Sequence, residues 1–215
     1  MIQIQSFTFN PFEENMYILF DETKEAVIID PGCYEPEEQT ELKKFISKEN
    51  LTVKFLLNTH CHIDHVLGNS FVKQYHKVPF LIHPTELKVL RAVISYASNY
   101  GFPRYSEILP DGDLIEGEFI KFGNSSLSII FLPGHSPGHV GFYSKDQNFL
   151  IGGDVLFYHS IGRTDLPGGN FETLIKSIHQ KLFVLPENVV VHPGHGSPTT
   201  IGEEKVHNPF CALTV

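Results

Sequence analysis

The sequence has little basic charge and no long apolar run, and each shortage excludes a class of protein. Lys and Arg total 16 against 25 Asp and Glu, which gives a formal net charge of −9 at pH 7. Because such a chain repels a phosphate backbone, we expect no nucleic-acid partner. Uninterrupted apolar stretches are only a few residues long, far below the roughly 20 residues that cross a bilayer. We therefore expect a soluble protein without a membrane partner.

Cysteine is also scarce. Cys33, Cys61 and Cys211 are the only three, an odd number without close spacing, which is typical of reduced thiols and not of a disulfide framework. No basic residue precedes Lys24, and the N-terminus lacks the apolar helical block of a secretory signal. Together these features predict a cytoplasmic protein.

The chain has enough apolar residues for one substantial core. With 215 residues, 41% hydrophobic and 19% charged, it is expected to form a single domain over 1–215. Alternating apolar residues predict an antiparallel meander of three strands within the first thirty residues. Further strands are predicted at 53–57, 79–82, 119–122, 127–132, 140–143, 149–151 and 189–191, and helices at 37–50, 66–75, 84–100, 171–183 and 201–206. Strand meanders interrupted by helices favour two packed sheets with helices outside, a layered α/β arrangement.

Twelve histidines are present, and the placement of some of them indicates a metal site. His60, His62, Asp64 and His65 follow an apolar strand within six residues, a ligand density that core histidines seldom reach. In an extended stretch His60 and His62 project to the same side, because side chains alternate, and Cys61 points away. If the chain then turns into a helix, Asp64 and His65 reach a neighbouring position. One motif can therefore supply ligands to two metal ions.

Three more candidate ligands each follow a turn at the end of an apolar strand. They are His135 after a Pro-Gly pair, Asp154 after a Gly-Gly pair and His195 after another Pro-Gly pair. Imidazoles and carboxylates suit Zn, Fe or Mn, and an aspartate between two ions is a common bridge. The full candidate set is His60, His62, Asp64, His65, His135, Asp154 and His195.

In order along the chain, these seven residues match the pattern H-x-H-x-D-H followed by separate His, Asp and His, and the sequence resembles the metallo-β-lactamase superfamily. The segments Gly162-Arg163-Thr164-Asp165, 193–196 and 199–205, with Asn208-Pro209-Phe210, look like the small bacterial hydrolases of the glyoxalase II type, or hydroxyacylglutathione hydrolases. The resemblance implies a four-layer αβ/βα sandwich with two divalent ions at one edge. Zn is the expected metal, and Fe and Mn are the alternatives. The resemblance assigns His60, His62 and His135 to one ion and Asp64, His65 and His195 to the other, with Asp154 shared.

The resemblance implies a small-molecule thioester substrate, S-lactoylglutathione or a related hydroxyacyl thioester, attacked by a hydroxide that bridges the ions. Asp64 and Asp154 are then catalytic as well as ligating. Arg163 aligns with a substrate-binding lysine of the classical enzymes and is expected to clamp a carboxylate, and His159 is expected to face the substrate.

Two departures from the classical enzymes concern the substrate. Those enzymes carry an additional C-terminal helical region that helps to hold glutathione, whereas this chain extends only twenty residues past His195. Asp165 stands where they have a tyrosine. We therefore do not expect glutathione to be held as it is in the classical enzymes.

Several alternatives stay open from the residues. A persulfide dioxygenase type of enzyme, which shares the Gly-Arg-Thr-Asp segment, would use His60, His135 and Asp154 to hold a single iron. The acidic charge disfavours an RNA-processing nuclease of the same superfamily, and the full ligand set disfavours a silent binding module. Asp30 either orients a ligand histidine or merely forms a turn, and His139 either supports the site or is structural.

Overall fold

The computed structural model describes residues 1–213, which fall into two compact units. The first unit comprises Met1–Asp113 and Lys121–Ser126, and the second comprises Leu114–Ile120 and the chain from Leu127 onward. Each unit has its own apolar cluster of buried side chains. The single domain over 1–215 stays a prediction, and its last two residues lie outside the described part of the chain.

The first sheet contains six strands in the order of the sequence. They are β1 (Gln3–Phe9), β2 (Glu14–Phe20), β3 (Glu25–Ile29), β4 (Thr52–Leu57), β5 (Phe80–Ile82) and β6 (Gly112–Asp113). The pairs β1·β2 and β2·β3 are antiparallel, as the predicted meander requires. The pairs β3·β4, β4·β5 and β5·β6 are parallel, so β3 and β4 end at the same edge.

The helices of the first unit follow the predicted positions with one division. They are α1 (Pro36–Lys48), α2 (Ile63–Val66), α3 (Asn69–His76) and α4 (Leu87–Tyr96), with 3₁₀ turns at Pro84–Glu86 and Ala97–Tyr100. The helix predicted at 66–75 is present as α3, but it begins only at Asn69, because the chain is interrupted between α2 and α3 at Gly68. The Gly68 N–H donates to the carbonyl of Pro31, and a Cβ at Gly68 would lie 2.5 Å from Cys33 Sγ. Only glycine permits this close approach.

The second sheet also contains six strands, which are β7 (Phe119–Phe122), β8 (Ser125–Phe131), β9 (Val140–Ser144), β10 (Phe149–Gly153), β13 (Val190–Pro193) and β14 (Thr199–Thr200). Their order in the sheet is β14-β13-β10-β9-β8-β7. A separate hairpin is formed by β11 (Leu156–Phe157) and β12 (Ser160–Ile161). The pair β10·β13 is parallel, so these two strands also end at one edge.

Two helices complete the second unit, α5 (Phe171–Ser177) and α6 (Ile201–His207). The Asn170 side chain caps α5 by accepting from the Thr173 N–H. The predicted helix 171–183 continues after Ser177 as one π-helical segment, Ile178–Leu182. The wider π turn keeps both Ile178 and Leu182 fully buried. Among the helices in residues 1–213, none combines the length and apolarity that a membrane crossing requires.

The two parallel pairs explain how residues distant in sequence become neighbours within each unit. Asp30 follows β3 and Thr59 follows β4, so both lie at one edge of the first sheet. Asp154 follows β10 and His195 follows β13, so both lie at one edge of the second sheet. Side chains at such edges project from loops that a rigid sheet holds in place.

Candidate metal centre

The first unit brings three imidazole rings together at the end of β4. The ring centroids of His60 and His62 are 4.7 Å apart and nearly perpendicular, and those of His60 and His65 are 4.1 Å apart. Helix α2 begins at Ile63, the turn that was expected to redirect the next two side chains. His65 Nε2 lies 3.6 Å from Asp64 Oδ2. The motif therefore forms one compact cluster.

Asp30 organises this cluster from the neighbouring strand. Its Oδ1 accepts from the Asn58 side chain at 3.1 Å and from the Thr59 N–H at 2.7 Å. Its Oδ2 accepts from the Thr59 hydroxyl at 2.6 Å and faces His65 Nδ1 at 3.1 Å. Asp30, His60 and His65 offer ligand-type atoms within 4.8 Å of one another. Because neighbouring donors already engage both Asp30 oxygens, Asp30 orients the site and is not itself the better candidate ligand.

These hydrogen bonds select the tautomers of two candidate ligands. The Thr59 hydroxyl gives its only proton to Asp30, so at 3.1 Å it accepts from His60 Nδ1. The negative charge of the Asp30 carboxylate 3.1 Å away likewise favours a proton on His65 Nδ1. In a neutral imidazole the other nitrogen, Nε2, then carries the lone pair that a metal ion needs. Both rings are therefore arranged to ligate through Nε2.

The backbone of the motif is held by buried polar side chains that sequence reasoning did not identify. The Cys61 N–H donates to Glu86 Oε2 at 2.8 Å, and the Asn58 amide donates to the His65 carbonyl at 2.8 Å. Glu14 is also fully buried, with Oε1 3.8 Å from His65 Nδ1. Glu86 is the last residue of the 3₁₀ turn Pro84–Glu86, far from the motif in sequence, so no local pattern indicates its role.

Cys61 belongs to the apolar core of the first unit, as its predicted direction implies. Burial, with the nearby Glu86 and Asp30 carboxylates, raises the pKa of its thiol well above the ordinary value. A thiol that stays protonated is a poor ligand and a poor nucleophile.

The second unit places two imidazoles around one carboxylate. His135 Nε2 lies 3.6 Å from Asp154 Oδ2, and His195 Nε2 lies 3.5 Å from the same oxygen. Ligands about 2.1 Å from a tetrahedral ion are separated by about 3.4 Å from one another. His135 Nδ1 donates at 2.7 Å to the Arg163 carbonyl, which leaves Nε2 as the ligating nitrogen. The donor chemistry and spacing in this unit therefore fit a divalent metal ion.

Asp154 is itself positioned by two neighbours. Its N–H donates to His139 Nε2 at 3.0 Å, so His139 is a supporting residue of the candidate site. A Cβ at Gly162 would collide with the Asp154 carbonyl oxygen. The glycine before Arg163 is therefore required by the close approach of the chain to Asp154.

The two predicted substrate residues lie in the second unit, and their role stays a prediction. The guanidinium of Arg163 forms two hydrogen bonds of 2.7 Å with the two carboxylate oxygens of Asp165, and both side chains are exposed. His159 adopts a positive φ of 52° in the β11–β12 turn. Its Nε2 lies 2.8 Å from Glu203 Oε1.

The sequence also matches known proteins over most of its length. A sequence profile of the Metallo-beta-lactamase superfamily matches residues 10–195. The hydroxyacylglutathione hydrolase GloC of Haemophilus influenzae is 41% identical over 201 residues, covering 93% of each chain. The mitochondrial persulfide dioxygenase ETHE1 of Bos taurus is 33% identical over 203 residues, covering 92% of this chain and 71% of the relative.

The fold of the chain is also similar to solved structures over nearly its whole length. The crystal structure of the BLEG-1 B3 metallo-beta-lactamase matches with a TM-score of 0.88 and 37% identity, covering 98% of this chain and 100% of that chain. The crystal structure of TTHA1623 in a di-iron-bound form matches with a TM-score of 0.84 and 36% identity, covering 96% and 99%. The predicted fold class is confirmed by these matches.

Proposed function

The chain belongs to the metallo-β-lactamase superfamily, and from this membership we propose that it is a metal-dependent hydrolase of a hydroxyacyl thioester such as S-lactoylglutathione. One observation carries the proposal. Asp30, Thr59 and the Arg163 carbonyl each engage the Nδ1 atom of a candidate histidine, so three imidazoles are preset to ligate through Nε2. The relative named as a hydroxyacylglutathione hydrolase supports the choice of substrate.

We assign two divalent ions to the seven candidate ligands. His60, His62 and His135 hold one ion, Asp64, His65 and His195 hold the other, and Asp154 is shared. Five imidazoles and two carboxylates suit Zn, with Fe or Mn as alternatives. The di-iron form of TTHA1623 supports both the number of ions and the iron alternative.

Thioester hydrolysis requires an activated water molecule and a polarised carbonyl group, but no general acid for the leaving group. When bound, two such ions lower the pKa of a water molecule toward about 7 and polarise a carbonyl oxygen. Hydrolysis forms a C–O bond and breaks the C–S bond, and a carboxylic acid and a thiol are released. A thiol pKa near 8.5 makes the thiolate a ready leaving group, so no separate acid is needed. Asp64 and Asp154 act as ligands, and the second oxygen of Asp64 orients the attacking water.

Substrate recognition is assigned to Arg163 and His159. Arg163 can form a bidentate pair with a carboxylate, as its contact with Asp165 illustrates. A substrate carboxylate would exchange with Asp165. His159 follows the Asp154 strand in a tight turn and would face the substrate. The predicted small-molecule substrate and cytoplasmic location belong to the same proposal.

A persulfide dioxygenase is the second candidate, and the 33% identity to ETHE1 over 92% of this chain favours it. His60, His135 and Asp154 would then hold a single iron, two imidazoles and one carboxylate being the usual donors in non-haem iron oxygenases.

A substrate panel with metal analysis tests both candidates. The protein is purified without added metal, its metal content is measured, and it is assayed with S-lactoylglutathione, a simpler thioester, a lactone and glutathione persulfide. We expect two ions per chain, thioester hydrolysis and no oxygen uptake. Failure on every thioester would contradict the hydrolase. Oxygen uptake with the persulfide by a chain that holds one iron would establish the alternative.

A further inference from the structure

We propose that Glu204, a carboxylate on α6, is a positioning residue for His195. The inference rests on the proposed metal site and assigns a role to the segment 199–208. Glu204 is fully buried, and its two oxygens accept from the side chains of Thr199 and Asn208 and from the N–H of His159. A buried carboxylate is costly unless it is fully hydrogen-bonded. Its donors lie on both sides of Glu204 within the segment 199–208 and, through His159, in the β11–β12 turn.

The first connection runs through the loop that carries His195. The Thr199 hydroxyl donates to Glu204 Oε1 at 2.5 Å. Thr199 begins β14, which pairs antiparallel with β13, so His195 lies in the short loop between two paired strands. The Gly194 N–H, at the other end of this loop, donates to the Gly153 carbonyl at 2.9 Å. The sheet holds the Thr199 end of this loop only through the two-residue strand β14. The hydrogen bond to Glu204 therefore adds a second anchor at that end.

The second connection runs through the hairpin of β11 and β12. The His159 N–H donates to Glu204 Oε2 at 3.0 Å. The Asn208 amide donates both to the same oxygen at 2.7 Å and to the Ser160 carbonyl at 2.9 Å. At the other end of this turn, the ring of Phe157 meets the His195 ring edge-on, with centroids 6.3 Å apart. The hairpin that Glu204 anchors thus packs one aromatic ring against the candidate ligand.

Both connections end beside the His195 imidazole. The first anchors the loop that carries His195, and the second anchors the hairpin whose Phe157 ring packs against the imidazole. Helix capping does not require this arrangement, because Thr200 caps α6 by accepting from the Glu203 N–H and an acidic residue in a first turn normally stays in solvent. We infer that the carboxylate holds His195 Nε2 at the 3.5 Å distance from Asp154 Oδ2 that a shared ion requires.

The test compares Glu204→Ala with a matched control in the first unit, Asp21→Ala. Asp21 is also a fully buried carboxylate and accepts from Thr23, Asn124 and Ser125, but it touches no candidate ligand. For each variant, stepwise zinc affinity is measured by chelator competition, and the unfolding temperature is measured without metal. Glu204→Gln, which keeps one acceptor oxygen, serves as the conservative variant. Thr199→Val removes a single hydrogen bond and decides the question if Glu204→Ala does not fold.

We expect Glu204→Ala to weaken binding of one of the two ions by about 10- to 100-fold, as the loss of an orienting partner does at other metal sites. Glu204→Gln should recover part of this affinity, and Thr199→Val should weaken the same ion to a smaller extent. Asp21→Ala should lower the unfolding temperature without changing affinity. Wild-type affinity in either Glu204→Ala or Thr199→Val, or an equal loss in Asp21→Ala, would overturn the positioning role. If the wild-type protein itself binds fewer than two ions, the proposed metal site fails instead.

Discussion

Asp30 Oδ2 lies 3.1 Å from His65 Nδ1, and both side chains are almost completely buried. Asp30 reaches this position from a left-handed backbone conformation, with φ of 51°, directly after β3. Aspartate tolerates that conformation better than most residues, although it still carries strain. In this conformation the carboxylate is buried against the end of the neighbouring strand, where it accepts from Thr59. The same residue therefore ends a strand and orients a candidate ligand.

Asp30→Asn should weaken metal binding while the protein remains folded. Asparagine keeps the size of the side chain and accepts the left-handed conformation, but it has no negative charge to favour the proton on His65 Nδ1. We expect metal affinity to fall by about 10- to 100-fold, as measured by chelator competition.

Asp21→Asn provides the control for this substitution. Burial opposes ionisation of Asp21, but hydrogen bonds from Thr23 and Ser125 lower its pKa below the ordinary value. The control therefore replaces another buried, hydrogen-bonded carboxylate in the same unit. Unchanged affinity in Asp30→Asn, or an equal loss in Asp21→Asn, would contradict the orienting role of Asp30.

Asp154→Ala should prevent the protein from binding two ions at the same time. Asp154 Oδ2 lies 3.6 Å from His135 Nε2 and 3.5 Å from His195 Nε2, so its carboxylate is placed to bridge the ligands of the two ions. Its N–H contact with His139 does not involve the side chain and survives the substitution. We expect the measured stoichiometry to fall from two ions to one or none.

Asp146→Ala removes an exposed carboxylate in the same unit and should leave the stoichiometry at two. Retention of two ions by Asp154→Ala would show that Asp154 is not the shared ligand.

Much of the fold could be predicted because the apolar residues of its longer helices and strands recur with a clear period along the sequence. The meander of β1 to β3 and the amphipathic helix α1 both lie where the apolar spacing indicates. The strands β6, β11, β12 and β14 were not predicted, since each has two residues and two residues define no alternation. Tertiary contacts, not local propensity, determine these short pairings.

The candidate ligands could be predicted because their order along the chain is itself a signal. Their supporting residues could not be predicted in the same way. Glu86 and Glu204 lie in or beside short helices, where sequence alone indicates a solvated carboxylate. Their burial depends on which backbone N–H groups the fold brings to them, and no spacing rule encodes that.

Cys61→Ala should leave both ions in place. Cys61 lies between two candidate ligands, yet its thiol packs in the core and its pKa is raised by burial. We expect metal stoichiometry to be unchanged and affinity to stay within about twofold, with a stability loss of about 1 kcal/mol for the smaller side chain. Loss of an ion in this variant would identify Cys61 as a ligand and contradict the assignment.

Removal of the His76 imidazole should make stability less dependent on pH. Burial lowers the pKa of His76, and its Nε2 is buried without a hydrogen-bond partner in the described chain. In the unfolded chain the pKa returns to about 6.5, so between the two values the unfolded state binds more protons. The free energy of unfolding therefore decreases as the pH falls below about 6.5.

The measurement is urea unfolding of metal-free protein at about pH 7.5 and about pH 5.5. His76→Leu should show a smaller decrease between the two conditions than the wild type. The same substitution at the exposed His207 should retain the wild-type decrease. Equal pH dependence in His76→Leu and the wild type would contradict the prediction.

Arg163→Ala and Asp165→Asn should shift substrate affinity in opposite directions. The hydrogen bond from Arg163 lowers the pKa of Asp165 to about 2, so the pair stays intact near neutral pH. A substrate carboxylate must therefore displace Asp165 to reach the guanidinium. Arg163→Ala removes the clamp but keeps the main-chain carbonyl that holds His135. We expect KM for a carboxylate-bearing thioester to rise by about tenfold, with kcat and metal content unchanged.

Asp165→Asn removes the competing charge while leaving Arg163 in place, so KM for the same thioester should fall. A thioester without a carboxylate provides the control, because neither substitution should change its KM. A general disturbance of the loop would raise KM for both thioesters in both variants. Loss of recognition by Arg163 would instead raise KM only for the carboxylate-bearing thioester and only in Arg163→Ala. If Arg163→Ala hydrolyses the charged and uncharged thioesters with wild-type KM values, Arg163 does not bind the substrate.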